Sequence, residues 1–199
     1  MHLIFNHPKI NNKKVEKGLS LIESAMVLAL AATVTAGVMF YYQAASDSNK
    51  TQSAISEVMS ATSAINGLYI GQNGYTGLDA NVLKNSSAIP DNYKTSTGIS
   101  NPFGGALKVE AAEGTGKPFG YHITLDKLPK SACISLATLN LGTSAAGYGI
   151  GVTAPKDVAN LTALGASNGK PTAITPSEAA NTSNGCKDGN TNSVTYFMK

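Results

Sequence analysis

Glu23 is the residue whose type and position most directly suggest chemistry. It lies just before a segment in which no residue from Ala25 to Tyr42 is charged. A charged side chain at the centre of a lipid bilayer costs roughly 2.5–3.5 kcal/mol on insertion scales, and less near the end of a span. A carboxylate in this place is therefore a functional candidate that needs a partner. The alternative is that Glu23 lies at the lipid headgroups and has no further role.

A partner for Glu23 could come from cleavage of the chain. The uncharged segment contains no lysine. A cut between Gly18 and Leu19 would create a terminal amine four residues before the carboxylate. The ammonium and the carboxylate could then neutralise each other, within one chain or between neighbouring chains. Such a cut would make Glu23 a candidate for an electrostatic role.

Cys133 and Cys186 are the two cysteines of the chain. A pair of cysteines that follows a membrane-targeting segment is typical of one disulfide in an oxidising compartment. Two buried free thiols are the alternative interpretation.

The remaining residue types form no recognisable catalytic or ligand-binding pattern. His122 is the one histidine beyond residue 18, and we interpret it as a strand residue. The string "EGTGKPF" is not a phosphate-binding loop, because Ala111 stands where its first glycine belongs and Pro118 where Ser or Thr belongs. "GYGIG" lacks the strand–turn–helix context of a dinucleotide site, and metal-ligand spacings are missing. We therefore expect no catalytic residue, no metal and no cofactor.

The N-terminal segment is what must position Glu23. Four lysines precede Leu19, and the apolar run that follows is long enough to span a bilayer core as a helix, at about 1.5 Å per residue. By the positive-inside rule the lysines stay in the cytoplasm and the C-terminal body faces outward. A signal peptide cleaved near Ala29–Ala31 is the alternative. The apolar run continues past that site and Glu23 interrupts its start, and both features argue against it.

The charge pattern separates the N-terminus from the body. All fifteen basic residues are Lys; four of them and one of the twelve acidic residues precede residue 19, so residues 19–199 carry eleven of each. A neutral body without arginine argues against nucleic acid as a partner. A net charge near zero also favours association between molecules.

Residues 43–71 have the periodicity of an amphipathic helix that continues from the apolar run. Its predicted core face contains Ile55, Val58, Met59, Thr62, Ile65 and Leu68–Tyr69, and the polar residues between them include Glu57. The combined helix would be about 50 residues long. Gly37 and its neighbouring threonines are weak helix formers, so a local bend there stays open.

The later part of the chain predicts short helices and strands. Tyr121, Ile123 and Leu125 alternate with His122 and Thr124, which indicates a strand with one apolar and one polar face. A long helix followed by strands predicts an α+β fold, in which the helix packs on an antiparallel sheet. The further predicted elements are a short helix capped by Asp79, strands at Ala106–Ala111, Phe119–Leu125, 147–154 and Ser193–Met198, a helix with Pro129 at its first position that ends near Gly142, and a helix that a capping box at Thr175–Glu178 opens toward Cys186.

The string "KGLSLIE" at residues 17–23, with the uncharged run after it, resembles the class III leader junction of type IV pilins. In that family a prepilin peptidase cuts after the glycine and N-methylates the new first residue. The resemblance implies cleavage between Gly18 and Leu19, N-methylation of Leu19 and a role for Glu23 in filament assembly. The new N-terminal residue would be leucine rather than phenylalanine, and in this the chain resembles the type IVb branch of the family.

Four further strings extend the resemblance to bundle-forming pilins within that branch. They are "NPFGG", "CISLATLNLGTSA", "AITPSEAA" and "VTYFMK". The resemblance implies the type IV pilin fold, with a C-terminal region bounded by a disulfide between Cys133 and Cys186. It divides the chain into a cleaved leader at 1–18, a membrane-spanning and filament-core helix at 19–42, and the amphipathic helix with the head domain at 43–199.

The resemblance implies a structural subunit and not an enzyme. Such a subunit polymerises with itself into filaments and lateral bundles, for bacterial autoaggregation and adherence to host cells. Its expected partners are the prepilin peptidase/N-methyltransferase, the pilus assembly machinery, the inner membrane before assembly and the host cell surface. The head domain would lie in the periplasm and afterwards in the extracellular pilus. The alternatives are a minor pilin or pseudopilin, and a membrane-anchored extracytoplasmic binding domain that never polymerises.

Overall fold

The computed structural model describes residues 20–199 of the chain. The predicted leader at 1–18 and the predicted methylation site Leu19 lie outside the described residues. The chain divides between Gln43 and Ala44 into two compact units, and each is described by itself.

The first unit contains the beginning of α1, a helix that extends from Leu21 to Leu68. Alanine, leucine and methionine, which are strong helix formers, are frequent in its first half. Thr33 and Thr35 donate their hydroxyl groups to backbone carbonyls one turn earlier, so neither hydroxyl needs a partner outside the helix. α1 is continuous through Gly37, so the helix is not interrupted there.

The uncharged part of α1 is exposed on all sides. α1 contains a stretch that is long and apolar enough to cross a membrane, and none of that stretch is buried within the chain. The large apolar side chains between Leu21 and Tyr42 are 62% to 88% exposed. A helix that is apolar all round needs lipid or other protein around it.

The second unit is built on a five-stranded antiparallel sheet in the order β1-β2-β3-β5-β4. The C-terminal strand therefore lies between the third and fourth strands. The strands are β1 (Ile99–Ser100), β2 (Ala106–Ala111), β3 (Tyr121–Leu128), β4 (Ala145–Ile150) and β5 (Asn192–Met198). The short helices are α2 (Ala80–Lys84), α3 (Lys130–Ala137) and α4 (Pro176–Ala179).

One face of the sheet packs against the second half of α1. Val58 and Ile65 of α1 belong to the same buried cluster as Tyr121, Ile123 and Leu125 of β3. Alternate residues of a strand point to the same face, so these three strand residues form one surface toward the helix. The predicted α+β fold, a long helix on an antiparallel sheet, is confirmed.

The opposite face of the sheet is also covered, contrary to the polar face that the alternation in β3 predicted. His122 and Thr124 are buried. Phe197 of β5 lies opposite His122 in the strand register and forms a second buried cluster with Val152 and Val158. The segment after β4 therefore covers this face, and a covering segment distant in sequence leaves no signal in the strand itself.

The core face of α1 also differs from the prediction. Val58 and Ile65 are fully buried, whereas Met59 and Leu68, predicted for the same face, are 58% and 50% exposed. Glu57 is 4% exposed and takes a place on the buried face. The buried stripe of α1 consists of Thr51, Ala54, Glu57, Val58, Ala61 and Ile65.

Two predicted helices are shorter in the structure. α3 ends at Ala137 rather than near Gly142, and Pro129 is its N-cap residue rather than its first helical residue. Gly142 has a φ of +64°, which a helix does not accommodate. The capping box at Thr175 is confirmed, but α4 ends at Ala179, well before Cys186.

Two predicted strands are shifted. The strand predicted at Phe119–Leu125 is β3, which begins at Tyr121 and extends to Leu128. The Gly-rich strand predicted at 147–154 is β4, which ends at Ile150. Gly151 follows with a φ of +67°, so the chain leaves the sheet there.

The disulfide between Cys133 and Cys186 is present, with the two Cα atoms 5.9 Å apart. It joins α3 to the segment after α4. Both cysteines are buried, and the backbone N–H of Cys186 donates to the carbonyl of Ala179. The alternative of two free thiols is therefore excluded.

Removal of the disulfide should leave a marginally stable head domain. The bridge spans a sequence separation of 53 residues. A loop of this length corresponds to a chain-entropy contribution of about 4 kcal/mol, against a total stability of about 5–15 kcal/mol for a domain. We expect Cys133→Ser, Cys186→Ser and the double variant to lower subunit abundance in cells to a similar extent, as measured by immunoblotting.

The matched control is Ser135→Ala, because Ser135 is an exposed residue of α3. It should leave subunit abundance unchanged. Accumulation of the double cysteine variant at the parent level would show that the bridge contributes little.

Candidate functional site

Glu23 lies in the first turn of α1, where its carboxylate already has a local partner. Its Oε2 atom accepts a hydrogen bond of 2.9 Å from the backbone N–H of Ser20, the residue before the helix. A carboxylate at the third helical position satisfies an otherwise free donor and lies near the positive end of the helix dipole. The sequence did not predict this contact. Glu23 therefore stabilises the start of α1 in the uncut chain, in addition to the role in filament assembly that the leader motif implies.

The charge of Glu23 is isolated along the helix. The next charged residue after it is Asp47. A single negative group at the start of a long apolar helix can pair with one cation and leave no other charge to bury. This arrangement suits recognition of a neighbouring amine. The described residues do not include Leu19, which would supply that amine after cleavage.

The "NPFGG" string forms a turn that the buried Asn101 holds in place. Its Nδ2 atom donates to the carbonyls of Ala106 (3.2 Å) and Asp126 (2.8 Å). Its Oδ1 atom accepts from the backbone N–H groups of Phe103 (2.9 Å) and Gly105 (3.2 Å). A Cβ atom at Gly105 would collide with the backbone carbonyl of Asp126, so the position requires glycine. The turn therefore connects the β1–β2 hairpin to the end of β3, which is a structural function.

Asn192 has a corresponding function on the other side of β3, near the same end of that strand. Its Nδ2 atom donates to the carbonyls of Leu128 (3.1 Å) and Lys187 (2.8 Å), and its Oδ1 atom accepts from the N–H of Lys187 at 2.6 Å. The amide thereby joins the start of β5 to the end of β3 and to the chain after Cys186. A buried side-chain amide needs hydrogen-bond partners, and the partners of Asn192 hold these three chain segments together.

An ion pair lies beside the outer edge of β4. The Nζ atom of Lys170 is 2.7 Å and 2.8 Å from the two carboxylate oxygens of Glu178. The hydrogen bonds from Lys170 and Thr175 lower the pKa of Glu178 to about 2. The backbone of Lys170 exchanges two hydrogen bonds with Tyr148 of β4. The segment around Lys170 therefore covers part of the outer edge of β4, which would otherwise be open to other strands.

Glu57 is buried without a hydrogen-bond partner. Neither carboxylate oxygen has one among the described residues. Burial raises the pKa of Glu57 to about 8, so the group is neutral at pH 7. We had placed Glu57 on the polar side of α1. Its spacing of three and four residues from the buried Ala54 and Ala61 was the signal that could have shown its burial.

His122 is buried on the other face of the sheet and is not arranged as a general base. Its Nδ1 atom has no hydrogen-bond partner within residues 20–199. Burial, with a smaller contribution from the charges of Lys156 and Lys108, lowers the pKa of His122 to about 4. The interpretation of His122 as a strand residue is confirmed. In the part of the chain that the structure describes, no group of three or more His, Cys, Asp or Glu residues could hold a metal ion.

The comparisons with known proteins show the family of this chain. The family model described as Bundlin matches residues 43–199. The chain belongs to the bundlin family. Two relatives, both named major structural subunit of bundle-forming pilus, are each 64% identical over 194 residues, which is 96% of this chain and 98% of the relative. They come from Escherichia coli O111:H- and from Escherichia coli O127:H6 (strain E2348/69 / EPEC).

A solved structure is also similar to this bundlin-family chain. It is the crystal structure of a type IV b pilin from Salmonella typhi, with 21% sequence identity and a TM-score of 0.49. The match covers 76% of this chain and 99% of that chain. The resemblance to type IVb pilins that the sequence indicated is confirmed by the family model and the two close relatives.

The buried Glu57 should make the head domain less stable at higher pH. Its carboxyl group ionises near pH 4.5 in the unfolded chain and at about pH 8 in the folded chain. The folded state therefore binds the extra proton, and stability falls by up to ~1.4 kcal/mol per pH unit between those values. Glu57→Gln should remove this slope and raise the free energy of unfolding at pH 8 by about 2–4 kcal/mol.

Chemical denaturation of the detergent-solubilised chain at pH 5 and pH 8 measures this effect. At pH 5 the parent and Glu57→Gln should be nearly equal in stability. Glu110→Gln is the matched control, because Glu110 is exposed and its replacement should preserve the slope. The variant is compared with the parent at each pH, because the lowered pKa of the buried His122 gives both chains an opposite slope between about pH 4 and pH 6.5. If the difference in stability between Glu57→Gln and the parent is the same at pH 5 and pH 8, Glu57 is not buried in its neutral form.

Proposed function

We propose that this chain is the major structural subunit of a type IVb, bundle-forming-type pilus and polymerises with itself into filaments. The observation that carries this proposal is the 64% identity, over 96% of the chain, to two proteins named as major subunits of such a pilus. The proposed role is structural and involves no enzymatic activity, metal or cofactor.

The exposed apolar half of α1 gives the proposal a physical reason. Large apolar side chains from Leu21 to Tyr42 are uncovered in the single chain. Lipid of the inner membrane would surround this segment before assembly, and the equivalent helices of other copies would surround it in a filament. Polymerisation then replaces lipid contacts with protein contacts and leaves little apolar surface in water.

The proposed domain organisation follows the leader junction. Residues 1–18 form the leader that the prepilin peptidase/N-methyltransferase removes, residues 19–42 form the membrane and filament-core helix, and residues 43–199 form the amphipathic helix with the head domain. The head domain lies in the periplasm until the pilus assembly machinery adds the subunit to an extracellular filament. The lysines before the span favour this orientation.

Lateral association of filaments is the proposed basis of autoaggregation and adherence to host cells. Residues 19–199 carry eleven lysines and eleven acidic residues, so the net charge of the mature chain is close to zero at pH 7. Filaments built from such subunits repel one another weakly, which favours bundles.

The protein content of purified filaments distinguishes this function from the two alternatives. A minor pilin or pseudopilin would be a small fraction of purified filaments, and a membrane-anchored binding domain would not occur in them. We expect this chain to be the principal protein of sheared, purified filaments on a stained gel. A filament fraction that contains the chain only in trace amounts would favour the minor pilin.

We predict that the mature chain begins with N-methyl-Leu19. The junction lies at the edge of the apolar run, where a peptidase at the membrane surface can reach it. Intact-mass and terminal-peptide mass spectrometry of surface filaments would measure this terminus. An N-terminus near Ala32 would instead identify an ordinary signal peptide and remove the basis for the filament-core helix.

Replacement of Glu23 should stop assembly without stopping cleavage. Glu23→Val removes both the charge and the hydrogen bond to Ser20. Glu23→Gln removes the charge but retains an acceptor for that N–H. If Glu23 pairs with the amine of Leu19, both variants should be cleaved and should assemble poorly, because loss of one member of a buried ion pair typically costs about 3–5 kcal/mol.

The two Glu23 variants distinguish the electrostatic role from the helix-start role. Filament yield per cleaved subunit is measured in a strain without the native subunit. Normal filaments from Glu23→Gln, with few from Glu23→Val, would assign Glu23 to the start of the helix. Normal filaments from both variants would leave Glu23 without a role in assembly.

A further inference from the structure

The dipeptide Asn-Gly occurs four times in the chain, and an asparagine in this dipeptide can lose its side-chain amide without an enzyme. The four asparagines are Asn66, Asn73, Asn168 and Asn184. In this reaction the backbone nitrogen of the following residue attacks the side-chain Cγ atom of the asparagine. Glycine favours the attack because it has no Cβ atom to obstruct it. The two groups must be free to meet, so the fold decides which of the four pairs can react.

Asn73 and Gly74 lie in the exposed loop between α1 and α2. Neither the side-chain amide of Asn73 nor the backbone N–H of Gly74 makes a hydrogen bond within residues 20–199. A Cβ atom built on Gly74 would have no neighbour within 4 Å, so the space that a new ring needs is open. The carboxamide and the nitrogen that would attack it are therefore free to approach each other.

The two ends of this loop are fixed. The ring centres of Tyr69 and Tyr75 are 5.4 Å apart, and the ring centre of Tyr75 lies 4.6 Å from that of Tyr121 in β3. The Tyr75 hydroxyl donates to the carbonyl of Lys199 at 2.7 Å. A rearranged backbone at Asn73 can therefore be accommodated while these contacts persist.

Two of the other pairs hold the attacking nitrogen in a backbone hydrogen bond. Gly67 lies within α1, where each N–H donates to the carbonyl one turn earlier. The N–H of Gly185 donates to the carbonyl of Asn181 at 3.0 Å. Attack on Asn66 or Asn184 therefore requires that the local structure open first, and this step slows the reaction.

The remaining pair is held by its surroundings. Gly169 is buried, and a Cβ atom built on it would lie 2.6 Å from the ring of Phe197 and 2.7 Å from the side chain of Leu161. Lys170, the next residue, exchanges two backbone hydrogen bonds with β4. The peptide after Asn168 cannot turn toward the Asn168 side chain without leaving these contacts. Of the four pairs, the fold thus leaves the one at residues 73 and 74 free to react.

We propose that Asn73 is a site of spontaneous deamidation, at which each subunit acquires a negative charge as the filament ages. The nitrogen of Gly74 forms a bond to Cγ of Asn73, and the bond from Cγ to Nδ2 breaks. Nδ2 leaves as ammonia and takes up the proton that the Gly74 nitrogen gives up. Water then opens the resulting succinimide ring at either of its carbonyls. The products are aspartate and isoaspartate, and no atom changes its oxidation state.

The new charge matters because the net charge of the mature chain is close to zero. Residues 19–199 contain eleven lysines and eleven acidic residues, and deamidation adds one more acid on an exposed loop. In a filament of many subunits the added charges accumulate along its length, so neighbouring filaments repel each other. This consequence, though not the deamidation itself, rests on the proposed function. Bundles of old filaments would then be looser than bundles of new ones.

The first experiment follows all four asparagines in the purified, detergent-solubilised subunit. Peptide mass spectrometry measures deamidation at each of them over days at neutral pH. In the folded subunit Asn73 should react at least about tenfold faster than the other three, because its reaction needs no local opening of the fold. In the subunit unfolded in guanidinium chloride the four rates should be similar, since the fold no longer distinguishes them. Asn73→Gln should remove the reaction at this position, because the longer side chain does not form the same ring.

The products give a further criterion. Opening of a succinimide ring yields both aspartate and isoaspartate, whereas direct hydrolysis of the side-chain amide yields aspartate alone. A folded subunit in which Asn73 reacts no faster than the other three asparagines would overturn the inference. So would a product at Asn73 that contains no isoaspartate.

The second experiment tests the effect of the charge on bundles. Fresh filaments of Asn73→Asp carry the charge from the start, and Asn73→Gln is the matched neutral variant. At ~0.01 M salt, where charges act over about 30 Å, the fraction of Asn73→Asp filaments that sediments as bundles should fall at least about twofold. At ~1 M salt, where this range is about 3 Å, both variants and the parent should bundle equally. Aged parent filaments should behave as Asn73→Asp does, and aged Asn73→Gln filaments as fresh ones.

Equal bundling of Asn73→Asp and Asn73→Gln at low salt would refute the effect of the charge. If the parent chain itself forms no filaments, the proposed function fails instead. The first experiment uses the solubilised subunit, so it decides on the deamidation in either case.

Discussion

The head domain depends on keeping β5 covered on both edges and both faces. β3 and β4 pair with its two edges. The hydroxyl of Tyr196 donates to the carbonyl of Leu136 at 2.8 Å, which ties β5 to α3 on the side of the main core. On the other side the Thr195 hydroxyl lies 2.9 Å from that of Thr124, and Phe197 packs under the segment after β4. The disulfide and Asn192 hold chain segments next to this interior strand, and Asn101 holds the β1–β2 hairpin to its neighbour β3.

The sequence predicted well those elements whose signals are local. β2 has the predicted bounds, Ala106–Ala111. The carboxylate of Asp79 accepts from the N–H groups of Asn81 and Val82, as expected of a helix cap. The capping box at Thr175 works in the same way, since all of its atoms lie within four residues.

Burial that depends on distant segments was not predictable from pattern alone. The polar alternation in β3 could not show that residues after β4 cover His122. The acceptors of Asn101 and Asn192 lie up to 25 and 64 residues away, so neither amide stands out in the sequence. Glu57 was missed because a glutamate in a helix is normally assigned to water. By contrast, the leader junction is a contiguous string, and two cysteines allow one pairing.

The interior place of β5 has a consequence for how the subunit is made. β5 is the last of the five strands in chain order, so it leaves the ribosome after the other four. Until then β3 and β4 lack their common neighbour, and their edges are open to other strands. Synthesis proceeds at about 5–20 residues per second, and the membrane segment emerges first. The sheet is therefore complete only when the residues of β5 have been made, and the hydrogen bonds, the Tyr196 contact and the Phe197 cluster that depend on β5 all form last.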